Sequence, residues 1–257
     1  MVKYLLKKSY QLKNLKEIKF KDLWGDHGIF TTMWIFGKPP KILFFDNHIK
    51  NLIKSLDKYG IRKKNLKKTI IKIINQNLSK KKNYNHLLRI ALSKNIISIS
   101  LRKRLTPKLN FDLKVVKYRR EKPEYKNLKY KKIISLLSKM DNSKSDIILI
   151  NKNKVMETGT SNLLFIKNKE VFGPKKDYYE GNTYKFLKTK IKKISKKNIY
   201  IKELNSYDEI LLIGSGKGVA SVKTIKEIGW KRKNLNQFNI FLKYYNLAIK
   251  KSKIYKF

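Results

Sequence analysis

Apolar and polar positions alternate with two different periods along the first half of the chain. Up to about residue 45, short apolar runs separated by turn residues are typical of β-strands, and the run at residues 28–36 is the longest of them. From Asp46 onward apolar residues recur at helical spacing, and Gly60 is placed to end that helix. The pattern predicts a second helix over residues 64–78 and then three strands over residues 87–118.

A charged segment, YRREKPEYKN at residues 118–127, interrupts this pattern and contains Pro123. Beyond it the sequence predicts a helix, two strands, a turn at Gly173-Pro174, a helix that starts at Gly181–Thr183, another strand and a final helical tail. We therefore predict an α+β protein with two domains. The predicted division is 1–118 for the first domain, 119–126 for the linker and 127–257 for the second domain, which contains Lys129.

Composition excludes several classes of site. The chain has no Cys, which excludes disulfides and thiolate metal sites, and its three His residues are too scattered to suggest a metal centre. The basic N-terminal segment has too short an apolar core for a signal peptide, and no stretch approaches the ~18 apolar residues of a membrane span. These features predict a cytoplasmic protein without a metal and without a membrane partner.

The net charge of +45 raises the possibility of nucleic-acid binding. Only seven of the 63 basic residues are Arg, the residue that reads bases and binds phosphates in a bidentate manner. The lysines are spread over the whole chain together with Asn and Ile, which is typical of drift toward AT-rich codons. We expect no specific nucleic-acid partner, although a basic nucleic-acid-binding protein stays open as an alternative.

Three short motifs could carry chemistry, and each is weak when taken alone. GSGKG at residues 214–218 follows an apolar strand but lacks the first Gly and the final Ser/Thr of a phosphate-binding P-loop. Gly181–Thr183 has the form of a helix start, which is an anion site only by general electrostatics. METGTSNLLF places Glu157 before a run of small polar residues, in a chain with only 18 acids.

Together these motifs resemble the class IV aminotransferases, the fold-type IV pyridoxal-phosphate enzymes that include branched-chain and D-amino-acid aminotransferases and 4-amino-4-deoxychorismate lyase. GDHGIFTTMWI is similar to the family's G-D-G-x-F-E/T-T strand, and DNHIKNL is similar to its H-x-x-R-L helix. The resemblance runs nearly end to end. It implies the two-domain fold of D-amino-acid aminotransferases, pyridoxal 5'-phosphate as cofactor, a homodimer, and a small substrate with amino and carboxylate groups.

The resemblance also implies roles for individual residues toward the cofactor. Lys129, in YKNLKYKKIISLL, matches the lysine that forms a Schiff base with the cofactor and then acts as acid or base; Lys126, Lys131 and Lys132 are neighbouring alternatives. Glu157 matches the carboxylate that keeps the pyridine nitrogen protonated. The implied phosphate ligands are Asn182, Thr183, Gly214, Ser215 and Gly216.

Two departures from the family pattern concern the phosphate. The Arg of H-x-x-R-L is Asn51 here, and the Arg that often ends G-I-T-R is Tyr184. Lysines nearby in sequence could supply the missing charge, and an inactive homologue stays open as an alternative. The candidate lysines are Lys50, Lys54 and Lys185.

The strand at residues 28–36 bears on the reaction. Aminotransferases of the family usually have F-E-T or F-E-G where this chain has F-T-T, and F-T-T resembles the aminodeoxychorismate lyases. That branch is implied to release pyruvate from 4-amino-4-deoxychorismate and to leave 4-aminobenzoate for folate synthesis. Thr32 would bind a substrate carboxylate or assist the lysine, although a β-branched strand residue fits this position equally well. A class IV aminotransferase for branched-chain or D-amino acids is the nearest alternative.

Overall fold

The computed structural model describes residues 4–257 and divides them into two compact units. The first unit contains the chain up to Arg104, Tyr125–Lys131 and Lys251–Phe257, and the second contains Leu105–Glu124 and Lys132–Lys250. Within residues 4–257, no helix is both long enough and apolar enough to cross a membrane.

The first unit is one antiparallel sheet with two helices. The spatial order of its strands is β2-β1-β6-β5-β3-β4. The strands are β1 (Tyr4–Gln11), β2 (Glu17–Ile18), β3 (Gly28–Gly37), β4 (Lys41–Ile42), β5 (Tyr84–Ser93) and β6 (Ile96–Lys103), and the helices are α1 (Phe45–Lys58) and α2 (Leu66–Asn77).

Period-2 alternation gives the sheet of the first unit two faces, one of which packs against α1 and α2. On β3, Ile29, Met33 and Ile35 join the hydrophobic core with residues of α1 and α2. Phe30 and Thr32 alternate with them and therefore lie on the opposite face. The candidate residue Thr32 therefore lies on the face opposite the hydrophobic core, where its hydroxyl is not enclosed by the packing against α1 and α2.

The second unit is built on a larger mixed sheet. Its strands are β7 (Asn110–Lys117), β8 (Ser145–Asn151), β9 (Lys154–Thr158), β10 (Asn162–Lys167), β11 (Glu170–Pro174), β12 (Ser195–Lys197), β13 (Ile199–Tyr200), β14 (Glu209–Gly214), β15 (Gly218–Ile225) and β16 (Trp230–Lys231). Its helices are α4 (Asn182–Lys188) and α5 (Asn236–Lys250), and the short α3 (Lys131–Leu137) begins at the boundary between the units.

The order of the sheet in the second unit is β12-β11-β10-β14-β15-β7-β8-β9-β13, with β16 paired to β15. The apolar runs recognised in the sequence form its central strands, and side chains such as Phe165, Ile210 and Val222 are fully buried in its core. The turn between β14 and β15 carries the predicted site residues Ser215 and Gly216, and Gly214 is the last residue of β14.

The observed division differs from the predicted one in three respects, one of which is that Lys251–Phe257 belongs to the first unit. β7 pairs in parallel with β8 and β15, so the chain from Leu105 to Glu124 belongs to the second unit and not to the first. The segment Tyr125–Lys131 belongs to the first unit because Asn127 forms an antiparallel bridge with Ile29. Gly173-Pro174, predicted as a turn, ends β11, where it pairs with β12.

Candidate active site

The predicted site residues are divided between the two units. Lys129, which was predicted to lie in the second domain, lies with Thr32 in the first unit. The other six lie in the second unit, on β9, at the start of α4 and in the turn between β14 and β15. These six are Glu157, Asn182, Thr183, Gly214, Ser215 and Gly216.

Lys129 is held at the start of β3 by a network of backbone hydrogen bonds. Leu128 donates to the Gly28 carbonyl at 2.9 Å and accepts from the Gly25 amide at 2.8 Å. The Lys129 amide donates to the Asn127 side chain at 3.2 Å, and its ammonium Nζ donates to the Gly25 carbonyl at 2.8 Å. The side chain is half-buried, so this lysine has a defined position that a solvated surface lysine lacks.

Two aromatic rings and a cation lie together on the face of β3 that carries Thr32. The Arg89 guanidinium lies 3.6 Å above the ring of Trp24, which meets Phe30 edge to face at 4.9 Å. Arg89 donates one bond to the Asp22 carbonyl at 2.7 Å, but its buried Nε has no partner among the described residues. Burial lowers the pKa of Arg89 to about 10, so it remains a cation at neutral pH. It is the cross-strand partner of Thr32.

Glu157 is a buried carboxylate near the end of β9, with 5% of its surface exposed. Its Oε1 accepts a 2.5 Å hydrogen bond from Nε of Arg120, a side chain that is also fully buried. Its Oε2 is 3.4 Å from the backbone amide of Tyr179, a long contact. Glu157 is thus charge-balanced on one oxygen and only weakly bonded on the other.

One side chain connects the neighbourhood of Glu157 with the start of α4. Asn162 donates from Nδ2 to the Tyr179 carbonyl at 2.6 Å and accepts at Oδ1 from the Gly181 amide at 3.0 Å. The same segment is fastened at its other end, where Asp177 accepts from Arg119 at 2.8 Å. Residues 177–181 are therefore a segment of fixed conformation that connects the surroundings of Glu157 with the predicted phosphate ligands.

The predicted phosphate site in the second unit fits an anion. Asn182 and Thr183 are buried, and Oγ1 of Thr183 has no hydrogen-bond partner among residues 4–257. A buried hydroxyl without a partner is costly, so a ligand that accepts a hydrogen bond from Thr183 Oγ1 would remove that cost. At Gly214, a Cβ would lie 3.2 Å from Ser161 Oγ and 3.3 Å from the Thr160 carbonyl, so a larger residue would crowd this turn.

The turn between β14 and β15 also carries an ion pair that sequence reasoning missed. Nζ of Lys217 is 2.7 Å from Oδ2 of Asp146, whose side chain is completely buried. The same carboxylate accepts hydrogen bonds from Thr158 at 2.9 Å and Thr160 at 2.7 Å. Because Asp146 balances its charge, Lys217 fixes the turn and adds no net charge for a phosphate.

The two departures from the family pattern have different surroundings. Asn51 is half-buried on α1, one turn after His48, which is buried and bonded to Thr31 Oγ1 at 2.7 Å. Burial raises the pKa of the Tyr184 phenol, whose hydroxyl contacts the ammonium of Lys196. Tyr184 thus belongs to a local polar cluster with Lys196.

Arg120 was also missed, because it falls in the segment predicted as a linker. A signal was present in the sequence: Arg119 and Arg120 are adjacent in a chain with only seven Arg and many more Lys. Lys is sufficient where only a surface charge is needed, so two adjacent Arg residues in this Lys-rich chain indicate guanidinium groups that form several hydrogen bonds. Among the described residues no cluster of three or more His, Asp or Glu could hold a metal ion.

Solved structures similar to this chain share its whole architecture. A branched-chain aminotransferase from Thermoproteus uzoniensis with norvaline is 17% identical, with a TM-score of 0.75, and 95% of each chain is covered. A proposed 4-amino-4-deoxychorismate lyase from Legionella pneumophila is 18% identical, with a TM-score of 0.72, over 90% of this chain and 96% of that one. A hypothetical aminotransferase from Mycobacterium tuberculosis in its PLP-bound form is 13% identical, with a TM-score of 0.69, over 95% and 99%.

These structures confirm the predicted two-domain α+β fold, and the PLP-bound example agrees with the predicted cofactor. Among curated proteins no relative matches this chain. The family model for amino-transferase class IV matches residues 28–225, which is well over half of the chain. That span includes Thr32, Lys129, Glu157 and the predicted phosphate ligands. The predicted family is therefore confirmed, and the chain belongs to the class IV aminotransferases, a family of pyridoxal-phosphate enzymes.

Proposed function

We propose that this enzyme is a lyase that converts 4-amino-4-deoxychorismate into 4-aminobenzoate and pyruvate. The proposal rests on the F-T-T sequence at Phe30–Thr32, whose two threonines lie on opposite faces of β3 and have different surroundings. Thr31 points into the core and forms a hydrogen bond with His48, whereas Thr32 lies on the opposite face of the sheet beside Arg89. Where the aminotransferase pattern has a Glu, this chain thus has Thr31, and its F-T-T sequence resembles that of the lyase branch.

Pyridoxal phosphate, when bound, supplies an electron sink that stabilises negative charge on the carbon next to the substrate nitrogen. The chain's own residues hold the cofactor and move the protons. Glu157 is the acceptor for a protonated ring nitrogen, since its Oε2 has only a long contact in the protein. Thr183 Oγ1, Asn182 and the turn at Gly214–Gly216 bind the phosphate.

Lys129 is the residue that bonds covalently to the cofactor and moves the proton. With the cofactor bound, the Lys129 amine would take the proton from the ring carbon that carries the substrate nitrogen. The electron pair of that C–H bond would form the new ring double bond as the C–O bond to the enolpyruvyl group breaks, which makes the ring aromatic, and the departing enolpyruvate would take up a proton to become pyruvate. The Gly25 carbonyl, 2.8 Å from Nζ, is a hydrogen-bond acceptor that orients this amine.

Arg89 and Thr32 form the carboxylate-binding part of the site in this proposal. A half-buried guanidinium with an unpartnered Nε is a strong donor toward an anion. Thr32 is its cross-strand neighbour on the same face of the sheet, so a hydroxyl and a cation are presented side by side. Both 4-amino-4-deoxychorismate and the substrates of aminotransferases carry such a carboxylate.

One experiment separates the two reactions. Purified enzyme loaded with pyridoxal phosphate is given 4-amino-4-deoxychorismate, and 4-aminobenzoate is followed by fluorescence while pyruvate is followed with lactate dehydrogenase. We expect equal amounts of both products and none from the Lys129→Ala variant. No release of either product, together with amino-group transfer from an amino acid to a 2-oxo acid, would replace the lyase by an aminotransferase.

The aminotransferase is the second candidate, and it is favoured by the fold similarity to branched-chain aminotransferases. An Escherichia coli branched-chain aminotransferase is 14% identical to this chain with a TM-score of 0.75. Likeness at this identity supports the fold and leaves the substrate open. A homodimer, implied by the family resemblance, is part of the same proposal and can be measured by sedimentation equilibrium.

A further inference from the structure

Arg120 is held at two points inside the second unit. Its Nε donates to Glu157 Oε1 at 2.5 Å, and its terminal nitrogen donates to the Pro123 carbonyl at 2.7 Å. The side chain has no exposed surface, and that of Glu157 has 6%. A guanidinium bound at both ends has a fixed orientation, so the carboxylate that it binds is fixed as well.

The remaining capacity of the carboxylate lies on its other oxygen. A carboxylate has about four lone-pair sites, and Arg120 occupies a site on Oε1. Oε2 has the 3.4 Å contact with the Tyr179 amide, which is longer than an ordinary N–H···O bond. Oε2 is therefore the atom at which a stronger donor, such as a protonated pyridine nitrogen, gains most.

We propose that Arg120 is a positioning residue that orients Glu157 toward the ring nitrogen of the cofactor and sets how strongly the carboxylate attracts the proton there. The inference rests on the proposed role of Glu157. A carboxylate shared with a guanidinium is a weaker acceptor than an unshared one, since part of its charge is already compensated. Arg120 thus moderates the electron sink in addition to holding its partner in place.

A neutral residue at position 120 would leave the carboxylate of Glu157 buried without a cation. Breaking a buried pair in this way is strongly destabilising. The protonated ring nitrogen would then replace the lost guanidinium as a cation beside the carboxylate, so cofactor binding would restore more stability in the variant than in the wild type. A role limited to holding the Pro123 carbonyl predicts no such difference.

The test measures the melting temperature of each protein with and without saturating pyridoxal phosphate. For Arg120→Met we expect the cofactor-free protein to melt roughly 6–12 °C lower than the wild type, and the rise on adding cofactor to be larger than in the wild type. The double variant Arg120→Met with Glu157→Gln removes the stranded charge. It should therefore melt higher than Arg120→Met alone without cofactor and lose the extra rise.

Arg62→Met is the matched control, because Arg62 is 83% exposed and pairs with Asp57, away from the predicted site residues. It should show the wild-type rise on cofactor binding. If the rise for Arg120→Met equals that of the wild type and of the control, Arg120 has no positioning role. If the wild type itself binds no cofactor, the proposed function fails and this inference fails with it. The two failures are therefore distinguishable.

The conservative variant Arg120→Lys covers the case in which Arg120→Met does not fold. It keeps the charge but loses the planar fork that holds Glu157. With the ring nitrogen of the cofactor labelled by ¹⁵N, its nuclear magnetic resonance shift should move away from the pyridinium value relative to the wild type, because the carboxylate is no longer held toward that nitrogen. An unchanged shift in a variant that binds cofactor would overturn the inference.

Discussion

The pair formed by Lys217 and Asp146 should make a large, measurable contribution to stability. Asp146 has no exposed side-chain surface, Lys217 has 9%, and their charged atoms are 2.7 Å apart. Removing one partner of such a pair costs about 3–5 kcal/mol. Asp146 keeps the two hydroxyl donors Thr158 and Thr160, so we expect the Lys217→Met variant to lose about 2–3 kcal/mol, the scale of a charged hydrogen bond.

The assay is urea unfolding followed by circular dichroism, with the single variants Lys217→Met and Asp146→Asn and the double variant. The two changes should be non-additive, with a coupling of about 1.5–3 kcal/mol, since each removes the same interaction. Lys223→Met is the control, because Lys223 is exposed on β15 and its loss should change stability by less than about 0.5 kcal/mol. Equal effects of Lys217→Met and Lys223→Met, or full additivity, would refute the reasoning.

Three further predictions follow from buried groups. Burial, and then the charge of Lys126, lowers the pKa of His48 from 6.5 to about 3. As the pH falls between these values, the unfolded chain gains a proton on His48 and the folded chain does not. The wild type should therefore lose up to about 1.4 kcal/mol of unfolding free energy per pH unit relative to His48→Gln, as measured by unfolding at pH 7 and pH 5. Thr183→Val should leave the stability of cofactor-free protein unchanged or higher and weaken cofactor binding at least about tenfold by fluorescence titration; unchanged affinity would exclude Thr183 as a phosphate ligand. Gly218→Ala should lower the melting temperature, because φ is +70° and a Cβ would lie 2.4 Å from the Tyr245 ring; an unchanged melting temperature would contradict this.

Local patterns in the sequence were enough to predict the elements that bury one face. The helical spacing after Asp46 gave α1, and Gly60, with a φ of +83°, follows its end as predicted. The apolar run at Gly28–Phe36 became the long strand β3. Such elements are predictable because their periodicity is a property of neighbouring residues alone.

Pairings between distant residues were not predictable in the same way. The parallel pairing of β7 with β8 and β15 moved the boundary between the units, and no local signal records it. Gly173-Pro174 has the composition of a turn, but the pairing of β11 with β12 outweighs that preference.

In the candidate site, too, single residues were predictable from the sequence and contacts between distant residues were not. Glu157 stood out as a rare acid in a basic chain, whereas its partner Arg120 lies 37 residues away and was assigned to a linker. Asp146 and Lys217 are 71 residues apart, and their contact depends on the completed sheet. Sequence therefore identified single chemical groups, and the fold determined which of them are paired and charge-balanced.

The central claim is that this is a pyridoxal-phosphate enzyme in which Lys129 is the lysine bonded to the cofactor. The most direct test is to load the wild-type protein with pyridoxal phosphate, reduce it with borohydride, digest it and map the labelled lysine by mass spectrometry. Among 56 lysines, the account predicts stoichiometric labelling of Lys129 and no stoichiometric label in the Lys129→Ala variant. A stoichiometric label on another lysine, or a sparse label spread over the surface, would contradict it.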